Sequence, residues 1–231
     1  MNNTSAQINW VIQAKKVFKS SAVPSDAIAM SAYMKNNFLF FGLKKPLRAE
    51  LTRQIFMQEG IPGKDIFREI VADLWNEPFR ELHYLALEVL FRNKNHFLLE
   101  DIFLFEEMIK SNSWWDSIDY ISPTLCFHLF KSFPELKSPT LVKWNEDSNL
   151  WLRRASIIAQ LKEKNDTDIG LQFKLISNLL HEKEFFIKKA IGWSLRELAK
   201  SSPETVLNFV NTSNLSPLSR KEALKHLQDV I

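Results

Sequence analysis

A chain of 231 residues with 30 lysines and arginines against 27 acids carries a formal net charge of only +3. Any nucleic-acid surface must therefore be a local patch. Hydrophobic content of 45% with 25% charged residues is ordinary for a soluble globular protein with a real core. Five glycines, where average usage would give roughly 16, mark a turn-poor and helical chain. The one cysteine, Cys126, excludes an internal disulfide and a multi-cysteine zinc site and fits a reducing compartment.

In chain order, the opening MNNTSAQINW lacks an apolar leader, and no stretch reaches the roughly 18 apolar residues of a membrane span. The reading is a cytoplasmic, soluble protein without membrane contact. Residues 1–25 form an N-terminal helix region, and Phe38-Leu39-Phe40-Phe41 is too short to span a bilayer and reads as core. Breaks follow at Gly60-Ile61-Pro62-Gly63, Asn76-Glu77-Pro78, Phe133-Pro134 and Ser201-Ser202-Pro203. Between them apolar residues recur at three- and four-residue spacing, the helical period, without the alternation of strands. No low-complexity linker divides the chain, so residues 1–231 read as one domain.

Several segments resemble one another: Leu82-His83-Tyr84-Leu85-Ala86, Trp151-Leu152-Arg153-Arg154-Ala155, Phe186-Ile187-Lys188-Lys189-Ala190 and Ser219-Arg220-Lys221-Glu222-Ala223. Their alanines are separated by two, one and one periods of roughly 35 residues, the range of helical-repeat arrays. The missing copy falls near Tyr120. Stacked helix pairs of this kind make a curved array with a concave groove suited to a long polymer. The predicted fold is all-α, an α-solenoid of antiparallel helix pairs.

Helical phase singles out side chains that do not serve their own helix's core. Over 185–200, Ile187, Ile191, Leu195 and Leu198 share one face, while Lys189, Trp193, Arg196 and Lys200 lie opposite. A tryptophan within a basic stripe either packs on a neighbouring helix or meets a sugar or base between phosphates. Trp115 and Asp119 are four apart and share a helical face, with Trp114, Ile118 and Ile121 as the apolar stripe. Asp116 is an equally available acid, and Ser122-Pro123 reads as the cap and first position of a new helix. Leu150, Ile157 and Leu161 lie in phase with Arg154 at the edge of their stripe and Arg153 further out. An inward arginine needs an anion, either a carboxylate such as Asp119 or a ligand phosphate.

Chemistry of other kinds is sparse. The chain has no glycine-rich phosphate loop, no nucleophile elbow and no paired-histidine zinc motif. His83, His96, His128, His181 and His226 are scattered, so neither a metal nor a cofactor is expected. Basic clusters stand at Lys44-Lys45-Pro46-Leu47-Arg48, Lys188-Lys189 and Ser219-Arg220-Lys221.

The segments Ala32-Tyr33-Met34-Lys35-Asn36, Phe41-Gly42-Leu43-Lys44-Lys45-Pro46, Ser113-Trp114-Trp115-Asp116-Ser117-Ile118-Asp119 and Ala190-Ile191-Gly192-Trp193 resemble the AlkD-like DNA alkylation repair glycosylases. So do Trp151–Ala155 and Leu215–Ala223, and the likeness runs from about residue 25 to the end. It implies a HEAT-like repeat fold that excises cationic alkylated purines, 3-methyladenine and 7-methylguanine, from duplex DNA without a base-specific pocket. By the same resemblance Asp119 assists hydrolysis, Trp115 and Trp193 correspond to the family's site tryptophans, and Arg154 contacts the backbone near the lesion. On chemical grounds the two tryptophan faces suit the sugar and its developing charge. Tyr33 matches a residue near the DNA. Lys44, Lys45, Arg48, Lys189, Arg196, Arg220 and Lys221 are the candidate DNA contacts, and the remaining tryptophans are expected in the core. The chain departs from the family at Lys45 and Ala49, which bears on affinity rather than chemistry. A monomeric glycosylase is the expected function. The alternatives are a catalytically silent binder of unusual DNA structures and a protein–protein scaffold.

Overall fold

The computed structural model describes residues 3–225, with 3–6 in backbone only. Fourteen α-helices are joined by short 3-10 turns and one π-helical turn, and an isolated bridge between Leu39 and Phe79 is the one strand-like feature among the described residues. The chain is all-α, as the spacing predicts, and all four anticipated breaks fall between helices. No described helix is long and apolar enough to cross a membrane. Two compact units divide it, residues 1–97 and 98–231.

The first unit holds α1 (Asn3–Ser20), α2 (Pro24–Tyr33), α3 (Lys45–Glu59), α4 (Phe67–Trp75) and α5 (Arg80–Arg92). Phe18, Ile55, Phe67, Ile70, Leu74, Leu82 and Ala86 are fully buried and form its apolar core, beside the buried polar Arg80, Glu81 and His83. Of the Phe38–Phe41 run only Phe40 and Phe41 are core; Leu39 is 56% exposed. The run is not helical, and its first two residues lie nearer the surface than Phe40 and Phe41.

That segment is pinned by a buried carboxylate. Glu81 accepts hydrogen bonds from the backbone N–H groups of Phe41, Gly42 and Leu43 at 3.0, 2.9 and 3.0 Å. Gly42 has φ +89°, and a Cβ there would sit 2.1 Å from the Val23 carbonyl, so no other residue fits. Arg80 Nη1 donates to His83 Nδ1 at 3.1 Å, which leaves the imidazole proton on Nε2 to donate to the Glu77 carbonyl at 2.7 Å. Glu81→Gln turns one acceptor towards the N–H trio into a donor. It is expected to cost about 2–3 kcal/mol, read as a lower urea midpoint at unchanged m-value. An unchanged midpoint would show that the segment holds without the carboxylate.

The second unit repeats one theme. It comprises α6 (Asp101–Lys110), α7 (Trp115–Tyr120), α8 (Phe127–Ser132), α9 (Lys137–Asn145), α10 (Leu150–Ile158), α11 (Ile169–Asn178), α12 (Phe185–Leu198), α13 (Pro203–Thr212) and α14 (Pro217–Ala223). Side-chain caps start three of them, with Asn149 accepting from Trp151 and Leu152, Asp168 from Leu171, and Ser216 from Ser219. The repeat alanines Ala155, Ala190 and Ala223 lie at 0%, 0% and 1% exposure in α10, α12 and α14, which stack in that order. The copy anticipated near Tyr120 is α7, which packs on α10. Small residues at these points let the helices close up. Gly192 does the same for α12 and α14: a Cβ there would stand 2.5 Å from Glu222 Cβ and 2.8 Å from the Ser219 carbonyl. Helices α6 and α9 are tied by Glu106, which accepts from Lys110, Lys143 and Trp144. Burial alone would raise its carboxyl, but those three bonds outweigh it and hold the group at about 2.

Two local expectations are corrected here. Ser122-Pro123 does not cap a new helix; α7 runs through a π-helical turn, Ile121–Cys126, straight into α8. Pro123 has no N–H for the Asp119 carbonyl and its ring crowds that oxygen, and the wider turn relieves the clash. Ser122 is fully buried and its hydroxyl donates to the Ala155 carbonyl at 2.6 Å. In α10 the buried set is Leu152, Arg154, Ala155, Ser156, Ile157 and Ile158, whereas Leu150 and Leu161 are half-buried. A helix covered by neighbours on two sides does not keep a single apolar stripe.

Candidate active site

The three stacked helices α7, α10 and α12 meet at one arginine. Arg154 Nε and Nη2 donate to the two carboxylate oxygens of Asp119, both at 2.9 Å, and Nη1 donates to the Phe186 carbonyl at 2.6 Å. Of the two anions open to Arg154 in the sequence, the structure supplies Asp119. The residue lies 4% exposed, a buried clamp rather than an edge side chain. The Asp119 side chain keeps 19% exposure, so it is held from behind and open on one side. Burial pushes its carboxyl above the usual aspartate value; the Arg154 hydrogen bonds and charge pull it back, and nearby Asp116 adds to the upward push.

An aromatic group flanks the clamp. Trp114 lies 5.6 Å from Trp151 and 5.5 Å from Phe186 between ring centroids, and Trp151 lies 5.0 Å from Phe186. The Arg154 guanidinium stands 5.9 Å from the Phe186 ring centre. Trp114 is therefore not part of the α7 apolar stripe: it precedes the helix in an extended conformation, φ −159° and ψ 161°. Ile118 and Ile121 are fully buried as that stripe requires. Trp10, Trp75 and Trp144 are core, but Trp114 and Trp151 are half-buried, contrary to the core assignment.

Trp115 is half-buried one turn before Asp119 on the same helix. Trp193 is half-buried on α12, seven residues beyond the Phe186 carbonyl and so about 10 Å along the helix. The opposite face of α12 is core, with Ile187, Ile191, Leu195 and Leu198 all at 5% exposure or less.

The basic candidates divide by partner. Lys189 and Arg196 are both taken up by Glu222, at 2.9 and 2.8 Å. The Lys189 hydrogen bond holds the Glu222 carboxyl below its usual value. Arg220 donates to the Val210 carbonyl and to Asn211 Oδ1. Lys45 and Lys221 are exposed. In the first unit Lys44 pairs with Asp26 at 2.8 Å, Tyr33 is 69% exposed, and Arg48 stacks 4.1 Å over the Tyr84 ring. Arg153 turns to the Asp147 and Ser148 carbonyls and pairs with Glu182.

Asp119, Arg154, Lys189 and Glu222 occupy one register, each directly before the repeat-marking residue Tyr120, Ala155, Ala190 or Ala223. Neighbours in this register form the Asp119–Arg154 and Lys189–Glu222 pairs. The residues that spacing did not flag are Phe186, Trp151 and Ser122. Trp151 and Phe186 share a register, four residues before their alanines, which is the signal that was available. Cys126 is fully buried, and burial pushes its thiol up and keeps it inert. Among the described residues no group of histidine, cysteine or acid is arranged to hold a metal; His226 lies outside them.

Residues 14–227 match the family model described as DNA alkylation repair enzyme. The chain belongs to this DNA alkylation repair family. A solved structure described as a predicted DNA alkylation repair enzyme from Enterococcus faecalis is 30% identical. It superposes with a TM-score of 0.83, over 90% of this chain and 97% of that one. The solved smu.31 from Streptococcus mutans UA159 shares the fold at 16% identity and a TM-score of 0.59, over 79% of this chain and 98% of its own. A comparison with curated proteins finds no match. Membership in the repair family gives the chain a role in alkylation repair, with DNA as its partner.

Proposed function

We propose that this family member is a monofunctional DNA glycosylase that hydrolyses the N-glycosidic bond of cationic alkylated purines, 3-methyladenine and 7-methylguanine, in duplex DNA. The observation that carries the reading is a carboxylate, Asp119, clamped by both Arg154 donors and left open on one side. A purine alkylated on its ring carries a positive charge and departs neutral, so no general acid is needed. The barrier lies in the oxocarbenium-like sugar and the water that attacks it. A fixed carboxylate in a half-dry site stabilises that cation and aligns or deprotonates the water. Arg154 positions the carboxylate. Trp115 and Trp193 offer ring faces to the sugar and its developing charge. Tyr33, Lys44, Lys45, Arg48, Lys189, Arg196, Arg220 and Lys221 are the surface contacts for the duplex, the paired ones exchanging a present partner for phosphate. The enzyme acts as a monomer and needs no cofactor.

The test is chromatographic. Purified protein and methylated duplex DNA are incubated and the free bases quantified. Release of 7-methylguanine and 3-methyladenine above the spontaneous rate supports the reading. Binding without release assigns the chain to the silent DNA-structure binders, and absence of binding even at low salt assigns it to the scaffolds.

A further inference from the structure

A cavity of about 560 Å³ opens at the far end of the same stacked helices. It lies between the C-terminal ends of α10 and α12, and its charged lining is Lys162, Lys164 and Lys200 against one acid, Glu197. Glu197 is engaged by Lys200 at 2.6 Å. Lys162 Nζ instead donates to a neutral hydroxyl, Thr124 Oγ1, at 2.7 Å, and has no carboxylate partner among the described residues. The hydroxyls of Ser194 and Ser201 complete the polar wall. Two cations thus share a concave site without a counter-charge. Partial burial also pushes the Lys162 ammonium below the usual lysine value, and an arriving anion would reverse that shift.

Position identifies the anion. Lys200 continues the face of α12 that carries Lys189, Trp193 and Arg196, and Ser194 on the cavity wall directly follows Trp193. A DNA strand carries one phosphate per roughly 3.4 Å of axis, so a strand lying on that basic face brings a phosphate within reach of the cavity. We propose that this cavity holds one backbone phosphate of the DNA strand, flanking the damaged nucleotide, between Lys162, Lys164 and Lys200. The inference rests on the glycosylase reading for the position of the lesion, and it adds a fixed anchor that sets how the strand lies across Asp119.

The experiment uses the full chain and duplexes carrying a stable abasic-site analogue, with single neutral methylphosphonates placed at successive positions. Wild type is expected to bind about tenfold more weakly when the methylphosphonate falls on the anchored position. The Lys162→Gln/Lys200→Gln variant is expected to be indifferent to that substitution. Its plot of log affinity against log salt should be shallower by about 1. Lys200→Gln alone, which loses only the exposed contact with Glu197, serves as the variant whose folding is not at stake, and melting curves accompany both. Calorimetry with inorganic phosphate separates a free ligand from a strand. If the variants lose phosphate binding while the DNA salt slope is unchanged, the cavity serves a free phosphate compound and the proposal is overturned. If slope and methylphosphonate profile match wild type while base release persists, the anchor is wrong and the glycosylase reading stands. If wild type binds no DNA, both fall.

Discussion

Asp119→Asn is expected to slow single-turnover release of 7-methylguanine by about 100-fold or more, the scale for losing one preorganised electrostatic stabiliser. Asparagine keeps an acceptor for one Arg154 N–H but carries no charge to meet the sugar cation. On the proposed mechanism DNA affinity should change little, because that mechanism assigns the side chain to the sugar and not to the phosphates. The pH profile adds a second reading. Burial, opposed by Arg154 and helped by Asp116, leaves the Asp119 carboxyl above the usual aspartate value of 3.8. The proposed mechanism uses only the ionised form, so wild-type rates should fall as pH drops through that raised value. The asparagine variant should lack this acid limb. A variant that releases base at the wild-type rate, or retains the limb, would remove Asp119 from the chemistry.

Arg154→Met is expected to be the most destabilising change at the site, by about 3–5 kcal/mol near neutral pH. It strands a mostly buried carboxylate and cuts the link from α10 to the Phe186 carbonyl. The pH dependence gives the signature. Without the guanidinium, the folded-state value of Asp119 rises further above its unfolded one. The protonated form then favours the fold at low pH, and that contribution is lost as pH rises through the folded value. The deficit against wild type should therefore be largest at neutral pH and shrink in mild acid. Adding Asp119→Asn to Arg154→Met removes the stranded charge and should recover part of the lost stability. Thermal melts across pH on the four proteins check this. A deficit independent of pH, or strictly additive losses, would mean the pair is not the source. Base release should fall with Arg154→Met as well, since Asp119 loses both its placement and part of its ionisation.

Much of the architecture was legible because it rests on local rules. Helical spacing, the breaks at proline and glycine, and the alanines every 35 or so residues each have a short-range cause, and they survive in the structure. The Asp119–Arg154 contact was half legible: phase placed both residues near a partner but left the partner open. What stayed hidden depends on neighbours. Ser122-Pro123 satisfies the local rule for a helix start, yet the Ala155 carbonyl 33 residues away offers Ser122 a buried bond and the helix continues. The Phe186 carbonyl acts through the backbone, which no side-chain pattern reveals. Trp114 looked helical because its spacing to Ile118 is four, but extended backbone turns its ring towards Trp151 and Phe186 instead. The occupation of Lys189 and Arg196 by Glu222 was equally invisible, since Glu222 comes from the next repeat.

The register that holds Asp119, Arg154, Lys189 and Glu222 has a bearing on how the molecule tolerates rearrangement of its parts. Read along the chain, the signs run minus, plus, plus, minus, so each outer acid is satisfied by the neighbour it has now. Duplicating the segment that contains α11 and α12 would set one Lys189 against another, leaving a cation without its acid at a tightly packed junction. Deleting that segment would bring Arg154 beside Glu222 while Asp119 still claims it. Repeats that are interchangeable in shape are thus numbered by charge, and their order is part of what the sequence stores.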